Sequence, residues 1–138
     1  MKHVTLIATA TFGLETLVKQ EVKALGIEDL RVSPGKIEFD AVLADIPRAN
    51  LWLRCADRVL LKIGEFTAVT FDELFEKTKA LPWEAWITVD GRFTVNAKTH
   101  KSELRSGRSC QSIVKKAVVE RLGAAYGIEQ FAETGPDF

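Results

Sequence analysis

Cysteine is nearly absent from this chain of 138 residues, which holds only Cys55 and Cys110. With no C-x-x-C pair and no grouping of Cys with His, neither a disulfide framework nor a zinc site is expected, and a reducing cytoplasm fits best. Long hydrophobic runs are missing as well: nothing approaches the roughly 20 apolar residues of a transmembrane helix. The apolar stretch after Lys2 imitates a signal peptide as far as Ala8-Thr9-Ala10, but falls short of a cleavable leader's core. There is no G-x-G-x-x-G, no Walker lysine loop, no paired metal motif, no low-complexity tract and no long linker. Those gaps argue against dinucleotide, P-loop and zinc chemistry carried by these residues. What remains is 46% hydrophobic and 28% charged, the balance of a globular domain or two small lobes.

Charge is present but unevenly placed. Between Arg92 and Arg121 stand Arg92, Lys98, Lys101, Arg105, Arg108, Lys115, Lys116 and Arg121, against only Glu103 and Glu120, a local excess of +6. The formal net charge is zero, so the remainder carries −6. Segregation of this kind builds a local field that a polyanion such as nucleic acid can read. A solvated helix face with a polar loop is the alternative, and charge alone leaves it open.

Hydrophobic periodicity divides the chain into short elements. Val4 to Ala10 reads as a buried strand, and Leu14, Leu17, Val18, Val22 and Leu25 recur at helical spacing before the stop at Gly26. Leu30 and Val32, then Ser33-Pro34-Gly35, then Ile37, Phe39 and Ala41 predict a hairpin. Asp45 as cap and Pro47 in the first turn open a second helix with Ile46, Ala49, Leu53 and Ala56 inward. Val59, Leu61 and Ile63 give a fourth strand, and the order is that of a split β-α-β layout of ferredoxin type. Thr70-Phe71-Asp72-Glu73 has the form of a capping box, and Pro82 closes the helix it starts. Arg92 to Thr99 alternates as a strand, a polar loop covers residues 100–107, and a long helix runs from about Ser109 to Ala125. A seam between two α+β lobes is expected near Phe66 to Thr70.

The basic segment holds the strongest candidate site. At about 100° per residue, Arg108, Ser112, Lys115 and Lys116 share roughly one quadrant of the last helix, opposite Cys110, Ile113, Val114 and Ala117. Ser106 or Ser109 can cap its start, where free N–H groups and the positive dipole end favour phosphate. Lys98, Lys101 and Arg105 lead to that terminus, so strand end, loop and helix start should converge on one anionic site. Arg121 falls on the apolar side of the wheel, which predicts fraying or snorkelling there. Phe93 is the one aromatic side chain within the stretch, so phosphate or shape recognition is expected rather than base stacking. For Trp52, Trp83 and Trp86, packing in a core or seam is favoured over stacking on bases. His100 reads as a surface residue, Cys110 as a small buried hydrophobe, and the acidic set Asp72, Glu73 and Glu76 as helix N-terminal bias.

Several long blocks in order carry a family resemblance. LIATATFGLETLVKQEVKALG, with Gly13-Leu14-Glu15 and Leu25-Gly26, resembles the opening of the large-subunit rRNA guanine-N2 methyltransferases, also described as N6-adenine-specific DNA methylases. ANLWLRCADRVLLKIGEF, from Ala49 to Phe66, and FDELFEKTKALPWEAW, from Phe71 to Trp86, are similar to that family's next blocks. The resemblance implies an α+β fold: a ferredoxin-like lobe over 1–65, followed by a THUMP RNA-binding domain over 66–138 that stops before its closing strands. It implies structured RNA, in particular large-subunit rRNA, as partner, with Lys98, Lys101, Arg105, Arg108, Ser109, Lys115 and Lys116 as the RNA-facing set. It also implies S-adenosylmethionine and a C-terminal methyltransferase domain in the parent protein, since no cofactor or catalytic motif occurs in this chain. A sheet without its closing strands would leave an edge open to self-association. A free-standing ferredoxin-like enzyme or small-molecule regulator, and a docking domain that binds no RNA, are the alternatives.

Overall fold

The computed structural model describes residues 2–100, 102, 104 and 106–138. The chain divides into two compact units, Met1–Lys62 and Ile63–Phe138.

In the first unit the elements run β1 (His3–Thr9), α1 (Glu15–Ala24), β2 (Leu30–Ser33), β3 (Lys36–Val42), α2 (Asp45–Trp52) and β4 (Arg58–Lys62). They form one sheet in the order β2-β3-β1-β4, with every neighbouring pair antiparallel. Strand period decides which face is covered. Leu6 pairs with Phe39 and Leu61, Ala8 with Ile37 and Val59, and these rows face the helices. Val18 and Val22 of α1 and Ala49 of α2 are fully buried, with α1 against β2 and β3 and α2 against β3 and β4. The hairpin turns at Pro34-Gly35, where φ of +77° at Gly35 meets the need for a left-handed residue after proline.

Two carboxylates on α1 fasten this unit. Glu15 accepts the N–H of Gly13 (2.8 Å) and of Gly35 (3.0 Å), tying the β1–α1 loop to the hairpin turn. Its own backbone N–H, then those of Gly35 and Gly13, hold its carboxyl below the usual range. Glu21 accepts the N–H of Arg54 and Cys55 at 3.0 and 3.1 Å, joining α1 to the chain that leaves α2. On the uncovered sheet face, Arg31 reaches Asp40 and Glu38 at 3.3 Å, and Lys62 reaches Glu38 at 2.8 Å. From its strands that face presents no Phe, Tyr or Trp, and His3 at the exposed start of β1 is its single ring.

Three details differ from the sequence expectation. Asp45 is the first residue of α2 rather than its cap: its carboxylate accepts the Val42 N–H (3.0 Å) and pairs with Arg48 (2.6 Å). Leu17 is 46% exposed, because the covered stripe on a ten-residue helix is no wider than Val18 and Val22 with their flanks. Trp52 is 63% exposed at the end of α2, so it packs neither in a core nor in a seam within its own unit.

The second unit is mainly helical: α3 (Phe71–Lys79), a 3-10 turn at Trp83–Ala85, and α4 (Gly107–Tyr126), with α3 and the turn both against α4. Thr70 caps α3 by accepting the Glu73 N–H at 3.2 Å, while Glu73 reaches back to Val69 N at 3.4 Å. Ile87, Val118 and Leu122 form the centre of the core, with Trp83, Phe93, Val114, Tyr126 and Phe131 around them. Trp83 donates to the Thr78 carbonyl (2.7 Å), and the Tyr126 hydroxyl lies 2.5 Å from that of Ile87. The left-handed Gly127, φ +66°, ends α4 and returns its N–H to Gly123.

The strand expected over Arg92–Thr99 is absent among the described residues. Only Arg92 makes a bridge, parallel to Asp137, with N–H to the Pro136 carbonyl (2.9 Å) and carbonyl to the Phe138 N–H (2.8 Å). Residues 93, 95 and 97 are half-buried while 94, 96 and 98 are exposed, so the alternation is real. Alternation reports which side of an extended segment is covered; a strand also needs a backbone partner.

Arg121 corrects another expectation. Rather than fraying, it stays within α4 and meets Glu84 with two hydrogen bonds of 2.9 and 2.7 Å. The Arg121 guanidinium, helped by backbone N–H donation, pulls the Glu84 carboxyl down to about 2. Since that lies below the unfolded value, the pair contributes fully above about pH 4.5 and fades as pH falls toward about 2. In Glu84→Gln, acid titration of the melting temperature should therefore lose part of its slope in that window. An unaltered slope would show that the pair contributes nothing to folding.

Candidate nucleic-acid interface

The N-terminus of α4 is built by Ser106, whose Oγ accepts the Ser109 N–H at 3.2 Å while its carbonyl accepts the Cys110 N–H at 3.0 Å. Ser109 is thus half consumed by the cap, keeping only its hydroxyl free for a ligand. The N–H groups of Gly107 and Arg108 have no acceptor among the described residues, and both precede the first helical bond. Arg108 is exposed in the first turn. Lys98 is exposed at the end of the extended segment, and a Cβ on Gly107 would lie 3.6 Å from the neighbouring Ala97 carbonyl. The end of the extended segment and the helix start therefore lie side by side. Between them opens a cleft of about 510 Å³ whose lining includes Asn96, Lys98, His100, Ser102, Cys110 and Val114.

The remaining candidates separate. Lys101 and Arg105 lie outside the described residues. Lys116 is exposed, its ammonium 5.9 Å from the Phe75 ring centroid. Lys115 is instead turned inward: Nζ donates to the Phe93 carbonyl at 2.8 Å and sits 3.5 Å from the Phe93 ring centroid. Arg92 is paired with Asp137 (3.1 Å) and Arg121 with Glu84 (2.7 Å). Among the described residues, Lys98, Arg108, Lys115 and Lys116 are the basic side chains of the segment without an ion pair, and of these Lys115 is the one turned inward onto a carbonyl. Gln111 was not marked by charge, yet its Nε2 donates to the Val95 carbonyl at 3.1 Å. The four-residue line Gly107, Gln111, Lys115 is the signal that could have found it.

Other chemistry has little support in this geometry. His100 is exposed and Cys110 is 7% exposed on the core side of α4. No group of three or more His, Cys, Asp or Glu among the described residues is placed to hold a metal ion. No described helix is long and apolar enough to cross a membrane.

A ferredoxin-like sheet unit, followed by a helical unit with exposed cations around one capped helix start, makes this an α+β protein. Residues 5–60 match the RlmL ferredoxin-like domain and residues 68–138 match the THUMP domain. The chain belongs to the THUMP family, whose domain binds RNA. It is 49% identical over its whole length to a Bacillus subtilis protein named "Putative RNA methyltransferase YpsC", of which it spans 36%. It is 36% identical, over 86% of its length, to the ribosomal RNA large subunit methyltransferase K/L of Syntrophotalea carbinolica, of which it spans 17%. The crystal structure of a predicted N6-adenine-specific DNA methylase from Listeria monocytogenes superposes on the whole chain with a TM-score of 0.95 at 52% identity, and the chain covers 36% of it.

Proposed function

We propose that this chain recognises structured RNA, in particular large-subunit rRNA, for an S-adenosylmethionine-dependent methyltransferase whose catalytic domain lies outside these residues. The first lobe, 1–65, serves as the ferredoxin-like partner of an RNA-binding domain at 66–138. The observation that carries the reading is the meeting of Lys98 with the α4 start, where Arg108 and two N–H groups without an acceptor among the described residues stand together. Phosphate there gains from point charge, dipole and N–H donation at once. Lys98, Lys101, Arg105, Arg108, Lys116 and the Ser109 hydroxyl form the phosphate-facing set, and Lys115 stands behind it. The cofactor would bind the methyltransferase domain, and the protein would act in the cytoplasm with its RNA.

The purified chain should bind a large-subunit rRNA fragment with affinity that falls steeply as salt rises. The same mixture, given labelled S-adenosylmethionine, should transfer no methyl group. Binding that ignores salt would remove the phosphate site from the account. Methyl transfer by these residues alone would replace the binding-module reading with that of an enzyme.

A further inference from the structure

We propose that Lys115 and Gln111 are positioning residues: they hold the extended segment 93–98 against α4 so that Lys98 is presented beside the helix start. The inference rests on the RNA-binding reading above and divides the basic helix face into groups that touch RNA and groups that aim others.

The contacts form a ladder with a regular step. Lys115 Nζ takes the Phe93 carbonyl at 2.8 Å, and Gln111 Nε2 takes the Val95 carbonyl at 3.1 Å. Backbone at Gly107 then comes close to the Ala97 carbonyl, 3.6 Å from where a Cβ would stand. Four helical residues rise about 6 Å. Two extended residues advance about 6.6 Å. The two repeats nearly match, so alternate carbonyls of the segment meet successive turns of α4. Helix side chains thereby satisfy carbonyls that a neighbouring strand would otherwise bind, which is how this segment stays extended without a ladder.

Lys115 suits this role better than phosphate contact. Its ammonium already has one carbonyl acceptor and a ring face, and drawing it outward would forfeit both. Gln111 carries no charge, so its loss removes no cation: Lys98 still reaches phosphate in the complex, and the loss is the cost of ordering the segment on binding. That neutrality separates the two roles experimentally.

The test compares Gln111→Leu, Lys115→Met and Lys115→Arg in the full chain, using a large-subunit rRNA fragment over a salt series and hydrogen exchange without RNA. Gln111→Leu and Lys115→Met should each weaken binding roughly three- to tenfold at low salt, the equivalent of one neutral hydrogen bond. The salt slope should stay that of the parent protein, and exchange across 93–98 should accelerate. Lys115→Arg should recover most of the affinity. Gln111→Leu gives a reading even if Lys115→Met fails to fold, which melting would reveal. A flattened slope in Lys115→Met with a silent Gln111→Leu would overturn the proposal, as would unchanged exchange in both. If the parent chain binds no RNA, the RNA reading fails, while the exchange data still decide whether these two residues order the segment.

Discussion

Replacing Lys98 and Arg108 together with alanine should weaken RNA binding by roughly 30-fold at low salt, taking about 1 kcal/mol for each exposed phosphate contact. The log–log salt slope should flatten by about 0.7–0.9 for each cation removed. These side chains are chosen because neither has an ion pair among the described residues and both are exposed around the same helix start. Their removal leaves no buried group orphaned, so the melting temperature should hardly move. Arg92 and Arg121, equally basic in sequence, supply the contrast. Each is already paired with a carboxylate, so Arg92→Ala should leave the slope near that of the parent. Fluorescence anisotropy at four or five salt concentrations, with melting curves beside it, checks both statements.

A second large effect lies far from the RNA. Phe39→Ala should destabilise the first unit by roughly 3–5 kcal/mol, the range for emptying a buried phenylalanine site. Phe39 is completely buried on the central strand β3, opposite Leu6 on β1 and Leu30 on β2. A unit of this size is stable by only about 0.05–0.15 kcal/mol per residue, so the substitution should consume most of its margin. Leu17→Ala is the matched control. That leucine is 46% exposed, and its truncation should change stability by no more than about 0.5 kcal/mol. Urea denaturation followed by circular dichroism distinguishes the two.

Much of the fold was legible because its elements are short, strongly periodic and well punctuated. Pro34-Gly35 fixed a hairpin, and Thr70 with Glu73 marked a helix start that the structure keeps. Segment 92–99 departs from the expected strand for a definable reason. Side-chain alternation records one covered face, whereas a strand is defined by bonds along its edges, which sequence pattern does not encode. Here those edge carbonyls go to Lys115 and Gln111. Glu15 is a related case: its place in Gly13-Leu14-Glu15 is visible in sequence, but its tie to Gly35 needs a partner 20 residues away.

The candidate site was legible as a region and much less so as a set of contacts. Charge count alone ranks Arg92, Lys98, Lys115 and Arg121 equally. Only tertiary structure shows that Asp137, Phe93 and Glu84 occupy three of them. Glu84 lies 37 residues from Arg121, beyond any helical wheel, so the wheel marked Arg121 as misplaced when it was paired. The cap was nearer to hand: Ser106 and Ser109 were both eligible, and the hydrogen bond to Ser109 N–H selects Ser106.

Ultraviolet crosslinking of the chain to a large-subunit rRNA fragment, with the attached peptides identified by mass spectrometry, tests the central claim most directly. Crosslinks concentrated between Asn96 and Lys116, and competed away by rising salt, are the predicted result. Crosslinks confined to the sheet unit before Lys62, or none above a scrambled-charge control, would contradict it.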